Sequence, residues 1–203
     1  MSSLPLGPLG PCVLEGAAVR LEPLRQTHGT GILAAADDPS IWRWMSKSLT
    51  DAAAVEEFID SALRDEAAGR AYAFAVVSRS DGNVIGSTRY LDVDEANRGA
   101  EVGWTFYSRA AWGGAVNPES KLLLLRHAFE DWGAMRIALR TDSRNLHSQA
   151  AIRKLGARYE GLLRSHRLRR DGSVRDTVCF SVVREEWPSV RAGLLARLTN
   201  ETP

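Results

Sequence analysis

W-G-G-A-V-N-P-E-S-K, Trp112 to Lys121, separates a strand-like run (Ala100 to Tyr107) from a helix-like run (Glu119 to Trp132). Asn117 is a good helix N-cap, and Pro118 then falls at the first helical position, where the missing N–H does no harm. Gly113 and Gly114 can take positive φ and leave no Cβ in the way of an approaching group. A helix start carries unpaired N–H groups and a positive partial charge, so this loop can form an anion site with phosphate or pyrophosphate as its natural guest. The same residues also suit a tight strand-to-helix turn, and the stretch alone leaves both readings open. It is not a P-loop, because no Gly-Lys-Ser/Thr follows. Nor is it a dinucleotide fingerprint, because the strand before it belongs to a hairpin-linked run and not to a βαβ unit.

Upstream of the loop, Val19 to Arg25 alternates apolar and charged residues and predicts a first strand, with Pro23 requiring an edge or a bulge. His28 to Ala36 predicts a short helix, and Ile41 to Met45 (I-W-R-W-M) an aromatic segment in a loop. From Asp51, apolar Val55, Phe58, Ile59 and Leu63 recur at helical spacing until Gly69. Tyr72 to Ser78 and Val84 to Asp92 predict a hairpin turned by S-D-G-N, with Ala100 to Tyr107 as the next antiparallel strand. Downstream come a strand (Arg136 to Thr141), a helix (Ser148 to Leu155) stopped by Gly156, a hairpin and a last helix (Pro188 to Leu198). The hairpin pairs Glu160 to Arg169 with Arg175 to Val183. Trp132 and Trp187 are expected in the core. This mixed order predicts an α+β domain built on one largely antiparallel sheet of six to seven strands.

The chain of 203 residues suits one domain, expected over residues 15–200 after a flexible or loosely docked Pro/Gly-rich leader over residues 1–14. The leader lacks the pattern of a signal peptide, and no apolar run reaches the roughly 18 residues of a membrane span. Cys12 and Cys179 make neither a disulfide framework nor a metal spacing, which suggests a reducing cytoplasm. With 26 Lys and Arg against 25 Asp and Glu, net charge gives no case for nucleic acid or membrane. Arg164 to Arg175 is locally basic. It reads as a solvated hairpin or as the neighbour of an anionic ligand, and it lacks the interleaved aromatics of a nucleic-acid platform.

T-D-S-R-N-L-H-S-Q-A-A-I-R-K-L-G, Thr141 to Gly156, leaves a strand and enters a helix with Asn145 and Ser148 three apart at its start. Together with the loop at Trp112, this segment resembles the GCN5-related N-acetyltransferase (GNAT) superfamily. The likeness is to the Rim-type branch that acetylates ribosomal-protein N-termini. The N-x-x-S-x-x-A-x-x-x-L-G helix, the E-G-L-L-R of Glu160 to Arg164, the Asp171-Gly172 turn with Arg175-Asp176-Thr177, and Glu186 to Pro188 fall in that branch's order. The likeness spans roughly residues 15–198. Each motif is weak alone, and four in order are strong. The superfamily loop (Gln/Arg)-x-x-Gly-x-(Gly/Ala) is changed here to Trp112, Ala115 and Asn117. Alanine is tolerated there if its φ stays negative.

The resemblance implies a sheet splayed between the fourth and fifth strands, with acetyl-CoA as co-substrate and no metal. It implies direct attack by a primary amine in a ternary complex, with a peptide or protein N-terminal α-amine as the favoured acceptor. Trp104 to Tyr107, with Phe106 and Tyr107 among the cofactor-binding residues, would pair through the backbone with the pantetheine arm and supply an amide for the thioester carbonyl. Trp112, Gly113, Gly114, Ala115, Val116 and Asn117 would take the pyrophosphate, and Arg153 or Lys154 the adenosine end. Ser148 would protonate the departing thiolate, or else serve as a helix-start serine with a local cap. Asn145 would orient a water or the pantetheine while also capping the helix. Glu101 would draw the amine's proton through water, or else belong to a surface ion pair. His166 is a second base candidate, beside Arg167 where some relatives place an acid. Trp42, Trp44 and Met45 would line the acceptor or pack in the core. The alternatives are a small-molecule amine or antibiotic acyltransferase and a non-catalytic acyl-CoA-binding module, acting as a monomer or homodimer. Intact Asn145 and Ser148 favour an enzyme.

Overall fold

The computed structural model describes residues 7–36 and 38–200. The strands are β1 (Leu14–Glu15), β2 (Val19–Pro23), β3 (Tyr72–Ser78), β4 (Val84–Asp94), β5 (Gly99–Tyr107), β6 (Arg136–Asp142), β7 (Arg158–Leu168) and β8 (Val174–Val183). They form one sheet in the order β1-β2-β3-β4-β5-β6-β8-β7. Sequence patterning predicts six to seven strands and the sheet has eight. The extra one, β1, is two residues long and has no periodicity to read. The predicted fourth and fifth strands are therefore β5 and β6. Pro23 lies beyond the end of β1, on a free edge of β2, where its missing N–H leaves no ladder bond broken.

All neighbouring strands are antiparallel except β5 and β6. These run parallel for only three residue pairs, Gly99–Glu101 against Arg136–Ala138. A bulge accounts for their parting. Ser87 opposes Phe106 while Arg89 opposes Gly103, so Trp104 and Thr105 together face Thr88. Trp104 takes φ +49° there. A bulge bends its strand, and this one turns the C-terminal half of β5 away while β6 continues against β8 to Asp142.

The helices are α1 (Gly29–Ala35), α2 (Ala52–Ala67), α3 (Val116–Arg126), α4 (Leu146–Leu155) and α5 (Trp187–Asn200). Asp51 caps α2 by accepting the Ala54 N–H at 2.8 Å. Alternate residues of β3 feed two cores. Phe74 and Val76 join the α3 and α5 side with Leu124, Leu125 and Trp132, while Ala73 and Ala75 join the α1 and α2 side with Ile32, Phe58 and Ile59. The predicted helix from Glu119 starts earlier, at Val116, and passes into a π-helical turn over His127–Trp132. Asn117 is thus not the N-cap. Ala115 holds that place, and Pro118 is the third helical residue, whose N–H would be unpaired in any case. Ile41 to Met45, expected as loop, lies mostly in a short 3-10 helix, Pro39–Trp44. Trp132 and Trp187 are in the core as expected.

Residues 1–6 of the expected leader lie outside the described residues. Farther along it, Leu9 is buried, the Gly7 N–H donates to the Asp131 carbonyl, and Cys12 Sγ lies 3.5 Å from His127 Nε2. No described helix is long and apolar enough to cross a membrane.

Candidate active site

The parting of β5 and β6 leaves one edge of β5, from Val102 onward, without a strand partner among the described residues. Glu101 sits at the fork. It is buried, and its Oε2 lies 2.9 Å from Arg140 on β6. Gly103 makes room for it: a Cβ at that position would lie 3.2 Å from both Glu101 Oε1 and Leu91 Cδ2. Burial pushes the Glu101 carboxyl up, and Asp92 adds to the effect. Arg140, Arg167 and Arg175 oppose it, and the result is a pKa of about 7. A carboxyl poised there can take a proton from an ammonium group at neutral pH.

The loop after β5 runs from Ser108 to Ala115, at the start of α3. Gly113 takes φ +83°, and a Cβ added at Gly113 or Gly114 would meet open space. The N–H groups of Gly113, Gly114 and Ala115 donate to nothing among the described residues. Ala115 has φ −67°, so alanine sits in the loop without strain. The first turn of α3 contains Glu119, a charge that would repel a phosphate. It is turned away: its carboxylate accepts the N–H groups of Ala17, Ala18 and Val19 at 2.7–2.8 Å. Gly16 is what permits this, since a Cβ there would lie 2.5 Å from the Glu119 carboxyl carbon. The α3 N-terminus therefore keeps its positive end toward solvent.

The structure brings the two motif-bearing segments together. Trp112 of the loop stacks on His147 in the first turn of α4, with ring centroids 6.3 Å apart and planes at 24°. The Trp112 indole N–H donates to the Tyr107 carbonyl at 2.9 Å, and Arg109 covers its ring. Asn145 caps α4 by accepting the Ser148 N–H at 3.0 Å. The Ser148 hydroxyl is half-buried and makes no hydrogen bond among the described residues. It can therefore donate a proton to an incoming group. Asp142, at the end of β6, anchors the final hairpin. Arg169 grips both its oxygens, Nε to Oδ2 at 2.7 Å and Nη2 to Oδ1 at 2.9 Å. Burial would raise this carboxyl, but Arg169 and the Arg144 N–H hold it below the usual range.

Other expected site residues lie deeper or farther away. Phe106 is buried on the α2 side against Trp42 (4.9 Å) and Phe58 (6.2 Å), so toward the open edge it offers only its backbone. Trp42 donates its indole N–H to Ala36 and is itself buried, whereas Trp44 and Met45 are half-buried. Tyr107 is buried and donates to Asn117 Oδ1 at 3.4 Å, burial pushing its phenol pKa up. Lys154 is exposed near the C-terminal end of α4, in a depression shared with Glu186, Ser189 and Val190. His166 Nδ1 lies 3.1 Å from the Thr177 hydroxyl; burial and then Arg167, Arg140 and Arg175 lower its pKa.

Sequence reasoning passes over two buried cations. Lys121 Nζ donates to Thr105 Oγ1 at 2.7 Å and Thr88 Oγ1 at 3.4 Å, and burial lowers its pKa to about 7. Arg89 lies between the rings of Phe58 and Trp104. The only sequence signal for either is a charge in an otherwise apolar run.

A family model for the acetyltransferase (GNAT) domain matches residues 18–158. A T. thermophilus protein assigned as an acetyltransferase is 35% identical in an alignment covering 98% of this chain and 100% of that one, with TM-score 0.82. A GCN5-related N-acetyltransferase from Brucella melitensis is 28% identical over 96% of this chain and 88% of its own, with TM-score 0.88. Mycobacterium smegmatis RimJ, solved in complex with CoA-disulfide, has the same fold: 24% identity, 97% and 94% coverage, TM-score 0.78.

Proposed function

The chain belongs to the GNAT acetyltransferase family, and from that premise we propose that it moves the acetyl group of acetyl-CoA onto the α-amine of a peptide or protein. The observation that carries this reading is Glu101, a carboxyl at the strand fork with its pKa raised to about 7. An α-amine has a pKa near 8 and a lysine side chain near 10.4, so only the former is matched to so mild a base.

In this reading, the unpaired N–H groups of Gly113, Gly114 and Ala115 and the start of α3 receive the pyrophosphate of CoA. The free edge of β5 pairs with the pantetheine arm. The amine nitrogen attacks the thioester carbonyl and its proton passes through water to Glu101. Once the C–N bond has formed, the tetrahedral intermediate collapses and the C–S bond breaks. The Ser148 hydroxyl passes its proton to the departing thiolate and regains one from solvent, while Asn145 fixes the turn that presents it. The test is release of CoA thiol with peptides blocked at either the α-amine or the lysine side chain. Free α-amines should react faster at pH 7, and a strong preference for lysine would overturn the reading.

A further inference from the structure

Arg89 has two buried N–H-bearing nitrogens that no acceptor among the described residues satisfies. It stands on β4 opposite Gly103 and is 6% exposed. Its guanidinium carbon is 4.8 Å from the centre of the Phe58 ring and 5.2 Å from that of Trp104. Nε and Nη2 are both buried and donate to nothing among the described residues. Burial lowers its pKa to about 10, with Asp65 opposing. Arg20 and Arg175 also bury an unpaired Nε, yet each has a carboxylate within ion-pair range, Glu22 and Asp142. Among the described residues, Arg89 has none. Buried donors without partners are rare in folded proteins and call for an explanation.

Arg169 shows what such a fork does when it is filled: the same two nitrogens, Nε and Nη2, hold both oxygens of Asp142. The geometry of this fork matches a carboxylate. Position supplies the rest. Arg89 and Glu101 are diagonal neighbours across β4 and β5, about 7–8 Å apart along the backbone, and both lie on the α1 and α2 side. Phe58 is buried and Trp104 half-buried, so of the two rings on the guanidinium Trp104 is the one nearer solvent.

We propose that Arg89 receives a carboxylate carried by the acceptor, so that the enzyme selects amines accompanied by an acidic group. This rests on the reading of the Glu101 face as the acceptor side. The carboxylate occupies the Nε–Nη2 fork beside Trp104, while the amine faces Glu101. The acceptor is then an acidic amino acid or a peptide with Asp or Glu among its first two residues.

The test is calorimetric binding to CoA-saturated protein, paired with thiol release from acetyl-CoA. The probes are free aspartate and asparagine, together with peptide pairs that differ only by Asp or Asn at position one or two. At least one acidic member should bind roughly tenfold or more tightly than its amide twin, as expected for hydrogen bonds to a charged group. The pair that responds separates a free amino acid from a peptide. Arg89→Met should remove the preference while CoA affinity is kept, and Arg89→Lys should restore only part of it. Equal binding of acid and amide in every wild-type pair overturns the proposal without any variant, as does a preference that survives Arg89→Met. Turnover without an acid preference sinks the Arg89 inference and spares the acetyltransferase reading. An acid preference without thiol release for any probe does the reverse.

Discussion

Two buried ionisable groups flank β5, and both have a pKa of about 7. Glu101 lies on the side of α1 and α2, while Lys121 reaches Thr105 from α3 on the other. Their surroundings differ in kind. Lys121 is sealed between helix and sheet, its ammonium held by two hydroxyls and, among the described residues, by no carboxylate. Glu101 stands where β5 and β6 part, against Arg140 and within the field of Arg167 and Arg175. Perturbed titration alone does not mark a functional site, since structural groups are perturbed as well. The open strand edge beside Glu101 is what distinguishes the two.

The largest effect is expected at the β6 arm of the fork. Ser148→Ala should lower kcat by about 10² to 10⁴, the usual worth of an acid–base group, with CoA affinity nearly unchanged. The thiolate needs its proton only as the C–S bond breaks, so binding is spared. Full activity in this variant would remove Ser148 from the chemistry. Gly114→Val should come next in size. Open space surrounds that position, so the fold should keep its Tm while CoA affinity, read by calorimetry, falls roughly tenfold as backbone hydrogen bonds to charged oxygens are lost. Unchanged affinity would return the loop to a mere turn.

The smallest effect is expected on the sealed side. Lys121→Met should leave kcat/KM near the wild-type value, and a loss as deep as that of a Glu101 variant would mean that the sealed side also serves the chemistry. The two groups also bear oppositely on stability. Lys121 is lowered from 10.5 to about 7 on folding, so the unfolded chain binds the extra proton between those values and stability rises with pH across that window. The rise over the whole window is on the order of 5 kcal/mol and should vanish in Lys121→Met. Glu101 is raised from 4.5 to about 7, so its stabilisation is complete at low pH and is lost as pH climbs through that window. Denaturant unfolding at pH 5, 7 and 9.5 reads both trends.

The order of elements was legible wherever local chemistry decides. Asp51 and Asn145 cap as their side chains predict, and Gly82, Gly156 and Gly172 take the positive φ their turns require. Asn117 misled because a proline fits anywhere in a first turn, and the chain began α3 two residues sooner. β1 and the π-helical turn over His127–Trp132 have no period of their own; tertiary packing sets them. At the candidate site, Ser148 and Gly113 stand in motifs, and Glu101 in a position that the family resemblance marks. Arg89, Lys121 and the Arg169–Asp142 clamp could not be named from sequence, because their surroundings are assembled by residues far apart in the chain and by a bulge at Trp104 that sequence pattern does not announce.

The most direct test of the Glu101 account is the pH profile of kcat/KM for acetyl transfer to a peptide with a free α-amine, wild type against Glu101→Gln. The wild-type rate should climb through about pH 7 as the carboxyl deprotonates. The variant should be depressed by about 10²-fold at neutral pH and approach wild type above pH 9, where the amine is already neutral. An equal loss at every pH would mean that Glu101 only holds Arg140 and the fork in place.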